Sequence, residues 1–374
     1  MSSVRLCMLI VCASACRAPA IVFVDGSSDG AAMVDASDAS RDEGAQDAVV
    51  GDASEDRVDV RVVADAAVVS EPIVSPSCPD QATPGCRRVF VTGGSFSMGT
   101  PLAMDATPIQ TGISVGDFYI DSTEVTVARL RHFRDALLRE PGGTREFRVT
   151  YPNGSEVVVP SGRARASALQ ASALTTNAVG SVGLDGHPAN AVSWYAAMAF
   201  CIWDGGRLPT EAEFEYVSRW WLTALPQGRT FAWGNTDPMG RCDLAHWMLQ
   251  FYTPGGMCPS DNMRATVLVG SKPRGRVGAE EGLAIPVYEL SGNIAEWLAD
   301  TYLPYVAMGT SDPCWGRAQH NPFCNEALPE SRVFRGGSAL ASASLPYLIM
   351  DATRRNNPPV EQEPMIGFRC ARDR

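Results

Sequence analysis

The chain has 374 residues, 45% of them apolar, and a formal net charge of −11. The apolar share is ordinary for a globular protein, and the acidity is local. Between Asp25 and Glu71 stand 13 acidic and 3 basic residues, so the remainder is close to neutral and carries no concentrated basic face of the kind nucleic-acid binding needs.

The first fifteen residues read as a secretion signal. Arg5 supplies a short positive region, and Leu6 to Ala13 is an apolar run far too short to span a bilayer. Ala13-Ser14-Ala15 is a small-residue cleavage site followed directly by Cys16. That order is the pattern of a bacterial lipoprotein signal, with Cys16 lipidated. Plain cleavage after Ala15 is the other outcome the sequence allows, since Ala13 stands where Leu is usual. Either way the protein is expected to be exported to the cell envelope, in the outer membrane or periplasm, and held to a membrane if Cys16 carries a lipid. Residues 16–77 are rich in Ala, Asp, Val and Ser with almost no aromatics. Such a segment cannot offset its ordering entropy by burial and reads as a disordered, solvated linker.

Export places the later cysteines in an oxidising compartment. Cys78, Cys86, Cys201, Cys242, Cys258, Cys314, Cys324 and Cys370 form an even set. Short loops suggest Cys78 with Cys86, Cys242 with Cys258 and Cys314 with Cys324, leaving Cys201 with Cys370, although spacing alone permits other connectivities. A zinc site is disfavoured: no C-x-x-C occurs, and the four histidines (His132, His187, His246, His320) are scattered.

The folded part is expected from Cys78 to the end, residues 78–374. Val89 to Met98 alternates around Gly93-Gly94 and reads as a hairpin, and Phe118 to Ile120 as a further strand. Thr126 is positioned to cap a helix to about Leu138, with Val127, Leu130 and Leu137 inward. Phe147, Val149 and Tyr151 alternate, Pro152-Asn153-Gly154 turns, and Val157 and Val159 return, a second hairpin. Residues 161–186 read as a loop insertion. Ser193 caps a helix bearing Trp194, Met198 and Cys201, and Thr210 with Glu213 is a capping box. After Trp220 helical periodicity fades. The pattern is irregular α+β.

Seven strings now fall in order: VTGGSFSMGT (91–100), FYIDSTEVT (118–126), HPANAVSWYAAMAFCIWDGGRLPTEAEFEY (187–216), FAWGN (231–235), YELSGNIAEW (288–297), RVFRGGS (332–338) and IGFRCAR (366–372). Together they resemble the sulfatase-modifying-factor, or formylglycine-generating enzyme, family over about residues 87–374. The resemblance implies a C-type-lectin-like fold with low regular secondary structure.

It also implies an activity, oxidation of a sulfatase cysteine to formylglycine by two cysteines that hold copper(I), a soft ion suited to thiolates. Those cysteines lie five and ten positions beyond the first Gly of Gly-Gly-Ser. Here that Gly is Gly336, and the matching residues are Ala341 and Pro346, which offer no donor atom. Copper chemistry of the family's kind is therefore not expected. Ser338 matches the family's Gly-Gly-Ser, and Ser342 and Ser344 flank the altered positions, but a serine nucleophile needs a base. Only His187 and His320 could approach in space.

Two calcium sites are implied as well. The first would use Asp243, Asp261 and the carbonyls of Leu244 and Met263. The second would use Glu289, Glu296 and the carbonyls of Gly292 and Ile294. Carboxylates at Asp243 and Glu289 stand where the family often has Asn, which suits a hard cation. Cys201 and Cys370 match a family disulfide, whereas Ser218 and Asp351 occupy the positions of another. These features lead to the expectation of a non-catalytic, calcium-stabilised module that binds a peptide, glycan or protein at the envelope. The alternative is a divergent oxidase, or another enzyme that modifies exported proteins.

Overall fold

A computed structural model describes residues 70–80, 82–101, 108–140, 146–168, 183–223, 225–238, 241–247, 266–277, 287–328, 330–338 and 349–374. The expected signal, Cys16 and all but the last residues of the linker lie outside this set. Strand pairing begins at Ser70, ahead of the expected boundary at Cys78. Strand β1 (Ser70–Pro72) pairs antiparallel with β2 (Arg87–Val91), and the buried Ile73 donates its N–H to the Cys86 carbonyl at 2.9 Å. The Cys78–Cys86 disulfide closes the loop between these strands.

The glycines at 93 and 94 do not make a hairpin. β2 joins β5 (Phe118–Asp121), whereas β3 (Gly94–Met98) joins β4 (Gln110–Val115), in different sheets. One long antiparallel ribbon is broken at Gly93 on one side and Gly116 on the other. A side chain at Gly93 would place its Cβ 2.3 Å from the Val115 carbonyl oxygen, so only glycine lets the two corners touch.

The helices start where the capping residues stand. Thr126 accepts from the Arg129 amide at the head of α1 (Val127–Arg139), which buries Val127, Leu130, Phe133 and Leu137. The hairpin β6 (Glu146–Thr150) with β7 (Glu156–Pro160) forms in the expected register, Phe147 opposite Val159 and Val149 opposite Val157. Residues 161–168, expected as loop, instead form helix α2 (Ser161–Ala168). Ala164 and Ala168 are small enough to pack against the core, and Arg165 donates to the Leu137 and Glu140 carbonyls at the end of α1. Ser193 caps α3 (Trp194–Trp203), and Thr210 with Glu213 makes the full capping box of α4 (Glu211–Glu215), which runs on into a π-helical turn at Tyr216–Trp220.

The centre of the molecule is β8 (Ala295–Thr301), whose seven residues are all buried. It lies between β10 (Arg332–Arg335) and β12 (Ile366–Gly367), with β11 (Arg355–Asn357) outside β10. The short strand β9 (Gln319–His320) extends β4, and β13 (Ala371–Asp373) pairs with β5. Indole N–H groups lock α3 and β8 together, Trp194 to the Leu298 carbonyl and Trp297 to the Val192 carbonyl, each at 2.8 Å. This mixture of short strands and helices joined by long irregular segments is the C-type-lectin-like α+β fold that the sequence suggested.

With little regular structure, the interior is tied by ion pairs and disulfides. Arg129 is fully buried and bonds Asp121 and Asp204, each at 2.8 Å, while Arg372 pairs with the same two carboxylates. The Cys201–Cys370 bridge fastens α3 to the C-terminal strand across 169 residues, and Cys314–Cys324 closes a surface loop. Cys242 is disulfide-bonded too; Cys258 lies outside the described residues. Replacing Arg129 by Met leaves two buried carboxylates undercompensated, and urea denaturation should show a loss of about 3–5 kcal/mol. A loss below about 1 kcal/mol, the range of exposed pairs, would contradict the assignment of this network as structural.

Candidate functional site

Three chain segments converge at the start of β8. The first leaves β5 through Ser122 and Thr123 to Glu124. The second is the loop 289–294, folded back on itself with positive φ at Glu289 (51°), Gly292 (97°) and Asn293 (59°). The third is the C-terminal stretch at Arg369. They bring Glu124, Glu289 and Glu296 into one buried environment served by one guanidinium.

Each carboxylate is held differently. Glu296 takes a two-pronged pair from Arg369, Nε to Oε2 and Nη2 to Oε1, both at 2.7 Å, and Arg369 also donates to the Tyr288 carbonyl. Glu124 accepts from the Asn293 side-chain amide at 2.9 Å and the Ile294 amide at 3.3 Å. Glu289 accepts from the Gly270 amide through Oε2 at 2.9 Å and is stabilised by the Lys272 amide as well, although its buried Oε1 makes no close hydrogen bond. Burial, with repulsion from Glu289 and Glu296, drives the Glu124 carboxyl well above its usual range. Burial also pushes Glu289 up to about 7, and raises Glu296 despite Arg369.

Glu289, Gly292, Ile294 and Glu296 were read from the sequence as one oxygen set, and the structure places them on one loop and the strand it opens. Glu124 was missed. It lies in the FYIDSTEVT string, but nothing in its spacing tells that β5 delivers it to a loop some 165 residues later. Among the described residues no three Asp, Glu, His or Cys side chains close on their own into a metal cage.

The other expected set is arranged differently. Asp243 is partly exposed and lies in the fork of Arg241, both contacts 3.0 Å, with Arg274 at 3.5 Å. The hydrogen bond from Arg241 holds its carboxyl below the usual range. The Leu244 carbonyl is pressed against Gly275, where an added Cβ would come within 1.6 Å of it. Asp261 and Met263 lie outside the described residues.

The loop 289–294 also supports the Gly-Gly-Ser turn. The Gly292 amide donates to the Gly336 carbonyl at 2.7 Å, and Gly336 (φ 91°) passes so close that a Cβ would lie 2.8 Å from the Leu290 carbonyl oxygen. Ser338 follows this turn and is half-buried. Ala341, Ser342, Ser344 and Pro346 lie outside the described residues. Neither candidate base hydrogen-bonds Ser338. His187 shares a bond with Thr266. His320 lies 3.0 Å from Ser114 Oγ through Nδ1 and 3.1 Å from the Asn321 amide through Nε2. The Asn321 oxygen is taken by the Gly116 amide, so its NH2 faces Nε2. Nε2 is thus the acceptor and Nδ1 carries the hydrogen, which points at Ser114 and leaves that serine without a base.

Beside the turn, Asp351 is fully buried. Its Oδ1 accepts from Ser291 Oγ at 2.5 Å and its Oδ2 has no hydrogen-bond partner. Ser218, its counterpart in the family's lost disulfide, bonds the Glu215 carbonyl instead.

Residues 75–374 match the family described as the sulfatase-modifying factor enzyme 1-like domain. The chain belongs to that family. It is 32% identical to the formylglycine-generating enzyme of Streptomyces coelicolor over 328 residues, 82% of this chain and 94% of that protein. It is also 32% identical to the mouse protein named inactive C-alpha-formylglycine-generating enzyme 2, over 48% of this chain and 47% of that one. Among solved structures, PvdO from Pseudomonas aeruginosa aligns with a TM-score of 0.50 at 24% identity, covering 81% of this chain and 99% of PvdO, a likeness of fold.

Burial pushes Asp351 up to about 8, ahead of the opposing Ser291 bond and the nearby arginines. Its folded-state pKa is raised, so its contribution to stability is full below the unfolded value of 3.8 and is lost as pH rises toward 8. Asp351→Asn keeps an oxygen for Ser291 but has no proton to lose. Denaturant unfolding from pH 5 to 9 should show the variant with a flatter profile and greater stability than the native chain above pH 8. Parallel profiles would contradict this account.

Proposed function

We propose that this family member is a non-catalytic binding module, braced by calcium, that presents the family's groove to a peptide, glycan or protein in the bacterial envelope. The observation that carries the reading is the residue pair Ala341 and Pro346, where the copper-holding cysteines would stand. Neither side chain can ligate a soft metal ion, so the family's thiolate chemistry has no donor here. Against the rival reading, a serine-based or other retained catalysis, stands that among the described residues neither histidine weighed as its base hydrogen-bonds Ser338. The two histidines that could have served are committed to Thr266 and to the Ser114–Asn321 contact.

Calcium at the buried acidic site belongs to this reading: Glu124 and Glu289 offer hard oxygen donors, Glu289 Oε1 has no hydrogen-bond partner, and with Glu296 held by Arg369 the remaining donors would have to come from elsewhere in the loop. A cation bound there would neutralise charge that burial otherwise penalises and would fix the loop on which the Gly-Gly-Ser turn rests. The module thus keeps its groove rigid without using it for chemistry. The leader sequence supports export, and Cys16 supports a lipid anchor from which the acidic linker holds the domain away from the membrane.

The test is direct. The purified chain, loaded with copper(I) and incubated under oxygen with a cysteine-containing sulfatase peptide, should yield no formylglycine by mass spectrometry and retain no stoichiometric copper. Conversion of the peptide would overturn the proposal and restore the divergent-oxidase reading.

A further inference from the structure

Guanidinium charges in this fold are met by carboxylates: Arg129 by Asp121 and Asp204, Arg335 and Arg354 by Glu211, Arg369 by Glu296. Two arginines beside the start of α3 are not. Arg332 lies over the Trp194 ring at 4.2 Å and Arg163 over the Tyr195 ring at 4.7 Å. Those two aromatic residues open the helix, with their rings edge to face at 5.5 Å. The positive end of α3 therefore adds to the charge of both arginines.

Neither guanidinium forms an ion pair among the described residues. Arg332 is half-buried and donates only to neutral oxygens, the Ala299 carbonyl at 3.0 Å and the Asn325 side-chain oxygen at 3.4 Å. Asp300 is within electrostatic reach, but it gives its two oxygens to the Glu211 and Cys324 amides. Burial holds the Arg332 guanidinium below its usual range, yet an arginine stays charged. Arg163 is exposed and donates to the Tyr195 hydroxyl, which is itself within electrostatic reach of Arg332. Residues 169–182 and 339–348, which follow α2 and β10 in the chain, contain no acidic residue that could serve as counter-ion.

We propose that Arg163, Arg332 and Tyr195 form a site for a carboxylate carried on an acidic peptide segment of a partner protein. A guanidinium fork matches a planar carboxylate with two parallel N–H donors. The Tyr195 hydroxyl accepts from Arg163 and so turns its own hydrogen outward as a further donor. Stacking on Trp194 and Tyr195 holds both arginines in place before any partner arrives, which lowers the ordering cost of binding. Arg332 opens β10, the strand that runs directly into the Gly-Gly-Ser turn, so a partner held there is held beside that turn. The inference rests on the binding-module reading for the existence of a partner and adds the chemistry of its contact. The copper assay reads catalysis and the assay below reads the arginine site, so either can fail alone.

Titration of the purified chain with the peptide acetyl-Glu-Glu-Glu-amide at low salt, followed by isothermal calorimetry, tests the site. Saturable binding is expected, weakened about tenfold by Arg163→Gln and at least as much by Arg332→Gln, as the loss of a charge-assisted hydrogen bond requires. Arg163 is exposed, so its variant keeps the test valid should Arg332→Gln, which loses the packing on Trp194, fail to fold. No binding by the native chain, or equal binding by the native chain and Arg163→Gln, would overturn the proposal. A chain that binds sodium sulfate but not the peptide would overturn the assignment to a carboxylate.

Discussion

Three carboxylates share one guanidinium at the start of the central strand, and much else follows from that imbalance. Glu296 and Arg369 satisfy each other in a fully buried fork. What remains, Glu124 and Glu289, must stay protonated or find a cation, because an uncompensated buried charge would cost several kcal/mol. The residues of β8 beside it are all buried, and what the chain supplies there is amide donors, Asn293 and Ile294 to Glu124 and Gly270 to Glu289. The same loop reaches across to the Gly336 carbonyl and so braces the Gly-Gly-Ser turn.

The rest of the interior answers a related problem. Among the described residues, strands of two to seven residues and helices of thirteen residues at most cannot organise so large a core by backbone pairing alone. Long-range side-chain links stand in for it. Arg129 and Arg372 clamp Asp121 and Asp204, while Arg335 and Arg354 converge on Glu211. Arg354 also lies over the Tyr305 ring at 3.8 Å. Asp300 joins α4 to the Cys314–Cys324 loop by accepting from the Glu211 and Cys324 amides. Such links are specific in geometry, and they let the connecting segments stay irregular. Where the family's second disulfide is missing, Asp351 and Ser291 supply a hydrogen bond in its neighbourhood.

Much of this was legible in the sequence where a local rule decides the outcome. Thr126, Ser193 and Thr210 cap helices because a side-chain oxygen must meet the free amides of a first turn, whatever lies around them. The alternation from Phe147 to Val159 gave the hairpin and its register. The pairings Cys78–Cys86, Cys201–Cys370 and Cys314–Cys324 were likewise within reach. Features fixed by tertiary contact were not. Gly93-Gly94 looks like any turn, and only the Val115 carbonyl pressed against Gly93 shows that the strands on either side part into separate sheets. Helix α2 was hidden in a run of Ala, Ser and Gly because its stability comes from packing on α3. Glu124 was hidden because its partners are distant in the chain. The same holds for Arg241 and Arg274, whose grip on Asp243 no spacing rule announces.

The account turns on the acidic site being a calcium site in the folded chain. Differential scanning calorimetry of the chelator-stripped chain across a calcium series tests it most directly, since a ligand that binds only the native state must raise the melting temperature in proportion to the logarithm of its concentration. The account predicts that rise, with magnesium at the same concentrations giving a smaller one because it demands tighter octahedral geometry. A melting temperature indifferent to calcium would contradict it.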